Sequence, residues 1–166
     1  LTIKAQVRGR GELTARAFYE GRECACASAG VSAGVAMLVL SLSELHLWEA
    51  GAGRIYDLAL TFGEDRVKSY FGMREIGIEG EKVLINGKSV FQRLVLDQGF
   101  YPDGIYTAPC EEALIRDIEL SMAAGFNGAR LHEKVFEPRF LYHCDKLGYL
   151  VWGEQANWGL DPSAPD

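Results

Sequence analysis

Hydrophobic and polar residues alternate along most of residues 1–76, with the two-residue period of strands that bury one face. Ile3, Ala5 and Val7 begin the pattern, and it returns in later segments separated by glycine-containing turns such as Glu20-Gly21. The strands predicted in this way cover residues 3–7, 13–19, 22–29, 35–42, 56–62 and 67–71. Six or seven short strands with turns about every ten residues are typical of an immunoglobulin-like β-sandwich. We predict that fold for residues 1–76.

A hairpin is predicted next, within residues 77–92. Val83 to Ile85 form a short apolar run, Asn86-Gly87 follows, and the second strand covers residues 88–91. Asparagine and glycine tolerate positive φ at both central positions of a tight turn, so this pair favours a two-residue hairpin loop.

From Arg93 onward the pattern predicts strands that alternate with helices. The strands are residues 94–96, 129–131 and 149–152; the helices are residues 109–124 and 137–148. Pro138 suits the first turn of the second helix, and Gly148 suits its left-handed C-terminal cap. Strands joined by single helices form parallel crossovers, in which polar side chains at the carboxyl ends of the strands face the ligand side. Arg130, His132 and Glu154 occupy such positions.

The composition excludes some partners. The net charge of −6 argues against nucleic acid and anionic membrane surfaces, and no apolar run approaches the roughly 20 residues of a membrane helix. Four cysteines show no metal-ligand spacing, and we interpret them as reduced, mostly buried thiols. No metal or cofactor is expected, and the compartment stays undetermined. The chain starts at Leu1 without methionine, so we expect the natural N-terminus to lie further upstream.

The segment from Asn127 to Glu154 resembles glycoside hydrolase family 2, the β-galactosidases, β-glucuronidases and β-mannosidases. The resemblance rests on an ordered set of residues: Asn127, Arg130, Pro138, Cys144, Asp145, Gly148, Val151 and Glu154. The string from Phe71 to Ile76, the Asn86-Gly87 hairpin, and Leu47-Trp48 followed by Tyr56-Asp57-Leu58 resemble further motifs of that family. Gly51 and Gly53 stand where the family usually has prolines, so we expect a looser turn there, and Trp48 is expected to cap the sandwich core.

The resemblance implies an architecture of several parts. Residues 1–76 would be the immunoglobulin-like sandwich, residues 77–92 a hairpin at the barrel mouth, and residues 93–166 the beginning of a (β/α)8 barrel. A complete barrel takes about 250 residues and eight strand–helix units. In the family both catalytic glutamates come from later strands, so we expect no catalytic carboxylate in this chain. The exposed sheet edge of such a partial barrel would favour protease sensitivity or self-association into a homo-oligomer.

The resemblance also implies roles for residues near the barrel mouth. Arg130 would hydrogen-bond the nucleophile carboxylate, and Glu154 would bind a sugar hydroxyl or an arginine. His132 is displaced by one residue from the family's histidine, and Glu133 occupies the usual place. Further candidates for contact with the carbohydrate, or for support of the contacting groups, are Asp97, Gln98 and Trp152.

Two functions therefore remain open. The first is part of a retaining β-glycosidase that hydrolyses O-glycosidic bonds. The second is a noncatalytic immunoglobulin-like module for carbohydrate binding or another interaction. A parallel strand–helix–strand run with polar strand ends favours the first.

Overall fold

The computed structural model describes residues 1–32, 34–157 and 163, and most of the regular structure is β-strand. The chain divides into two compact units. The first comprises Leu1–Trp48 and Arg54–Met73, and the second comprises Glu49–Gly53 and Arg74–Asp166. Residues 161–166 include two prolines and are predicted from the sequence to form a loop, but apart from Ser163 they lie outside the described residues.

The described residues of the first unit form six antiparallel strands in two sheets. They are β1 (Thr2–Val7), β2 (Gly11–Tyr19), β3 (Arg22–Val31), β4 (Gly34–Val39), β5 (Ile55–Phe62) and β6 (Asp65–Gly72). β1 pairs with β4, and the other four form a sheet in the order β3-β2-β5-β6. The six strands predicted from alternation are confirmed, although β4 ends at Val39, three residues before the predicted end.

One hydrophobic core joins the two sheets of the first unit. Ile3 and Leu38 from the small sheet cluster with Leu13, Ala17 and Tyr56 from the large one. Trp48 is only 1% exposed, and its role as a cap of the sandwich core stays a prediction. Each Å² of apolar surface that is buried stabilises a fold by about 25 cal/mol, so this cluster is the main source of the first unit's stability.

A β-bulge changes the prediction for the cysteines. The pairing of β2 with β3 shifts between Ala17 and Phe18, which leaves Cys24 as an extra residue. As a result Cys24 is buried, whereas Cys26 is exposed. All four cysteines are free, but Cys110 is also exposed, so the expectation of mostly buried thiols holds for Cys24 and Cys144 alone.

The turn with two glycines is packed against the second unit's second helix and has hydrogen bonds of its own. The Gly51 N–H donates to the Gly148 carbonyl at 2.8 Å, and Glu49 and Ala52 bond to each other in both directions. A Cβ on Gly53 would collide with the carbonyl oxygens of Asp145 and Lys146. Because of this long-range contact, residues 49–53 belong to the second unit although the flanking chain belongs to the first.

The second unit begins with an antiparallel three-stranded sheet. Its strands are β7 (Ile76–Glu79), β8 (Lys82–Ile85) and β9 (Lys88–Ser89), in that order. Asn86 and Gly87 have φ values of 51° and 74°, which confirms the predicted turn. β7 was not predicted as a strand, and β9 is shorter than predicted.

A parallel sheet follows, with the predicted alternation of strands and helices. The elements are β10 (Leu94–Asp97), α1 (Glu111–Ala123), β11 (Gly128–Leu131), α2 (Pro138–Leu147) and β12 (Leu150–Gly153). The strand order is β10-β11-β12, and both pairings are parallel. Pro138 opens α2, and Gly148, at φ 75°, caps it as predicted. No helix among the described residues has the length and apolarity needed to cross a membrane.

The two faces of the parallel sheet differ. The row Val95, Ala129, Val151 packs with side chains of α1 and α2, including Ile118 and Phe140. Successive side chains alternate between faces, so the row Leu96, Arg130, Trp152 lies on the other face. On that face Leu96 and Trp152 are each 54% exposed.

Candidate functional site

Polar side chains gather where the three parallel strands end. Asp97 is the last residue of β10, His132 and Glu133 follow β11, and Glu154 follows β12. The carboxyl ends of parallel strands meet at one edge of a sheet, so the fold brings these residues into one group. Together with Arg130 and Gln98 we call them the strand-end cluster.

The centre of the cluster is an ion pair between Arg130 and Glu154. The Arg130 Nε donates to Glu154 Oε1, and the side chains are 48% and 23% exposed. This bond is the main reason that the pKa of Glu154 is lowered, with the Glu133 amide helping. Among the described residues, only Glu154 bonds to the Arg130 guanidinium, and it does so at Nε.

Glu133 and Glu154 are linked in a reciprocal way. The Glu133 N–H donates to Glu154 Oε2 at 3.2 Å, while Glu133 Oε2 accepts the Asn157 N–H at 2.8 Å. Glu154, after β12, thus fixes the backbone after β11, and Glu133, after β11, fixes the backbone after β12. Glu133 has φ 54°, a left-handed conformation that is uncommon for a residue other than glycine.

His132, Gln98 and Asp97 connect β11 with the loop after β10. Gln98 Nε2 lies 3.1 Å from His132 Nδ1, and the His132 N–H donates to the Asp97 carbonyl at 2.8 Å. Asp97 Oδ1 accepts the Gly99 N–H at 2.7 Å, and burial raises the pKa of this aspartate. The side chain of Asp97 therefore supports the turn beneath the cluster.

The acidic side chains of the cluster resemble two other kinds of site, a cation site and a catalytic carboxylate pair. Ligand atoms of His132, Glu133 and Glu154 lie within 4.8 Å of one another, close enough to bind a cation. An ion there would compete with Arg130 for Glu154. A retaining glycosidase also uses two carboxylates, and the one that acts as the acid needs a raised pKa. The lowered pKa of Glu154 does not suit that role.

Trp152 stands apart from the cluster. Its indole Nε1 donates to Gln92 Oε1 at 2.5 Å, and Gln92 precedes β10. Register places Trp152 beside Arg130 on the sheet, but its polar atom bonds towards the opposite ends of the strands. The structure therefore brings five of the six predicted residues together and leaves Trp152 outside.

The loop between β10 and α1 is anchored beside the cluster. Lys134 Nζ donates to the carbonyls of Tyr106, at 2.8 Å, and Gly99, at 3.3 Å. Tyr101 donates to Asp117 Oδ2 at 2.5 Å, and burial, followed by this bond, raises the pKa of the phenol. Phe100, 58% exposed, contacts Tyr106 with ring centroids 4.5 Å apart. An aromatic surface is thereby presented next to Gln98.

Sequence reasoning did not assign roles to Lys134, Gln92 and Asn157. Only the position of Lys134 just after a strand offered a signal, because polar residues at the carboxyl ends of parallel strands tend to serve the site. The partners of Gln92 and Asn157 depend on register and loop conformation.

Comparison with known proteins gives sequence and fold relatives. No protein-family model matches the chain. A β-galactosidase of Lactococcus lactis is 33% identical over 115 residues, covering 65% of this chain and 11% of that protein. A β-galactosidase of Staphylococcus xylosus is 27% identical over 109 residues, covering 66% of this chain and again 11% of the relative. The chain thus spans about a tenth of these curated relatives.

Solved structures share the fold. A β-glucuronidase of Parabacteroides merdae superposes with a TM-score of 0.82 at 19% identity, covering 94% of this chain and 22% of that one. A glycoside hydrolase family 2 member of Bacteroides cellulosilyticus gives 0.81 at 24% identity, covering 93% of this chain and 23% of that one. At these identities the likeness concerns the fold.

The motifs, the sequence relatives and the shared fold define the class of protein: this is a segment related to glycoside hydrolases. More narrowly, the motifs and the structural neighbours make the chain similar to glycoside hydrolase family 2.

Proposed function

We propose that this chain forms the beginning of the active site of a retaining β-glycosidase that hydrolyses O-glycosidic bonds. In this proposal residues 1–76 are an immunoglobulin-like sandwich, residues 77–92 a hairpin at the barrel mouth, and residues 93–166 the N-terminal part of a (β/α)8 barrel. The order β10-β11-β12, with the helices packed on one face, supports the last assignment. Strand, helix and parallel strand are the repeating unit of that barrel.

The position of Arg130 and the donors of its guanidinium are the main support for this proposal. The residue lies near the carboxyl end of β11 on the face opposite the helices, and Glu154 engages its Nε. Nη1 and Nη2 have no bonding partner among the described residues, and they present a planar set of donors that matches a carboxylate. We assign this fork to the nucleophile, which it would hold ionised.

The catalytic carboxylates are proposed to come from other parts of the enzyme. Glu133 and Glu154 each accept hydrogen bonds from the backbone, and Glu154 also accepts one from Arg130. We assign both the role of fixed supports, and the lowered pKa of Glu154 does not suit the acid of a retaining glycosidase. His132 and Gln98, with Phe100 nearby, would contact the sugar, and Asp97 would support their loop.

Kinetics of full-length variants test this function. Arg130→Ala should lower kcat on aryl β-glycosides about 30- to 1,000-fold, since a charge-assisted bond in a low-dielectric site contributes about 2–4 kcal/mol. Glu154→Gln keeps the shape and removes the charge, so its effect should be smaller and should fall partly on KM. Melting temperatures should stay close to that of the unchanged enzyme.

Arg139→Ala is the matched control, because Arg139 is also exposed and ion-paired but lies at the start of α2, bonded to Glu137. It should leave kcat unchanged. Unchanged turnover in Arg130→Ala with normal melting would contradict the assignment of Arg130. Carbohydrate binding by the full-length protein without any turnover would instead favour the noncatalytic module.

A further inference from the structure

The backbone at Glu133 is held in an unfavourable conformation by contacts of the strand-end cluster. A positive φ in a residue other than glycine costs free energy, and it persists only where its surroundings impose it. Here that conformation aims the Glu133 N–H at Glu154 Oε2. The other oxygen of the same carboxylate, Oε1, binds Arg130. Both oxygens of Glu154 are therefore held from the β11 side.

The Glu133 side chain completes the link in the opposite direction. Its Oε2 accepts the Asn157 N–H at 2.8 Å, so it restrains the segment that carries Glu154. Glu154 itself adds two bonds from that segment to the β11 side. The orientation of Arg130 depends on Glu154, and that of Glu154 depends on this segment.

We propose that Glu133 is a positioning residue: its carboxylate fixes the segment after β12 and thereby holds Glu154 and the Arg130 guanidinium in place. The structural part of this inference stands alone, and its catalytic part rests on the proposed function. The group needed at position 133 is a hydrogen-bond acceptor of glutamate length. Glutamine at position 133 should therefore keep the hydrogen bond to the Asn157 N–H, whereas alanine should lose it.

Hydrogen exchange of the full-length protein tests the structural part without any activity. In Glu133→Ala, the amides of residues 133 and 157 should both exchange about tenfold faster or more, because hydrogen bonds that involve a charged group contribute more than neutral ones. Glu133→Gln should restore most of the protection. Glu119→Ala removes an exposed carboxylate from α1 and should change neither amide. Equal protection in Glu133→Ala and the unchanged protein would overturn the inference.

A double-mutant cycle tests the catalytic part. Glu133→Ala should lower kcat about tenfold or more with little change in KM, because a small misplacement of a catalytic group lowers the rate strongly. Glu133→Gln should recover most of that loss. In an Arg130→Ala background, Glu133→Ala should have almost no further effect, since Glu133 acts through Arg130.

The outcomes separate this inference from the proposed function. Additive losses in the cycle would contradict positioning through Arg130 even if the enzyme is an active glycosidase. If the full-length protein hydrolyses no glycoside, the proposed function fails, and the exchange of residues 133 and 157 alone decides the structural role of Glu133.

Discussion

The ion pair of Arg130 and Glu154 contributes more to arrangement than to stability. The arginine side chain is about half exposed, and pairs of this kind contribute little because water screens them and both side chains lose freedom. The pair is nevertheless well defined, since the Glu133 amide holds the second oxygen of Glu154. The main effect of the pair is to orient the Arg130 guanidinium.

The pair should make stability depend on pH in the acid range. The Arg130 bond lowers the pKa of Glu154 in the folded chain below the unfolded value of about 4.3. The unfolded state then binds more protons between the two values, so the stabilisation is present above about pH 4.3 and is lost as the pH falls through the folded pKa. We expect Glu154→Gln to flatten the acid limb of the unfolding free energy.

Urea unfolding across a pH series measures this slope. Glu119→Gln, which removes an exposed carboxylate outside the strand-end cluster, serves as the control and should keep the slope of the unchanged chain. An identical acid limb in Glu154→Gln would mean that the pair does not form in solution.

At the residue scale, the sequence predicts positions better than partners. The places of Arg130 and Glu154 near strand ends follow from short apolar runs that alternate with helices. The bond from Trp152 to Gln92 joins residues 60 positions apart, and the left-handed backbone of Glu133 depends on a carboxylate from another strand. Neither leaves a local signal, because each is determined by strand register.

At the element scale, the close approach of the parallel strands depends on Gly128. It lies between Leu94 and Leu150 in register, and a Cβ there would come within 2.6 Å of Leu150 Cβ and 2.7 Å of Leu94 Cδ2. Such distances require the strands or side chains to move. With any other residue at this position, β11 or its neighbours must therefore shift.

Gly128→Ala should lower the unfolding free energy by about 1–3 kcal/mol, the usual cost of forcing an extra group into a packed site. Gly153→Ala is a matched control in the same sheet, because a Cβ there meets nothing within 4 Å. It should change stability by no more than about 0.5 kcal/mol. Chemical denaturation of both variants makes the comparison, and equal stabilities would show that β11 adjusts freely.

Elements with local signals were predictable, and those set by distant contacts were not. Pro138 and Gly148 predicted both ends of α2, and Asn86-Gly87 predicted its turn, because each residue favours a particular backbone conformation by itself. The strand β7 is only four residues long and includes a glycine, so its hydrophobic alternation is too short to predict a strand. The assignment of residues 49–53 to the second unit depends on the bond between Gly51 and Gly148, which local sequence does not encode.

At the scale of the whole molecule, the two units differ in how completely they bury their sheets. In the first unit, two sheets share one core. In the second, the parallel sheet has helices on one face only, while Leu96 and Trp152 on the other are more than half exposed. Parallel sheets are normally covered on both faces. β10 and β12 also each keep one edge unpaired among the described residues.

This difference predicts uneven protection in a preparation of residues 1–166. The strands β10, β11 and β12 should exchange amide hydrogens faster than β2 and β5, because an open edge and a bare face allow local opening. For the same reason, the first cleavages in limited proteolysis should fall in the region that follows Arg93. Self-association through the bare face would remove the difference, so exchange must be measured together with sedimentation and repeated on dilution. Protection that stays uniform across both units in a demonstrated monomer would mean that three strands and two helices suffice to close this part of the fold.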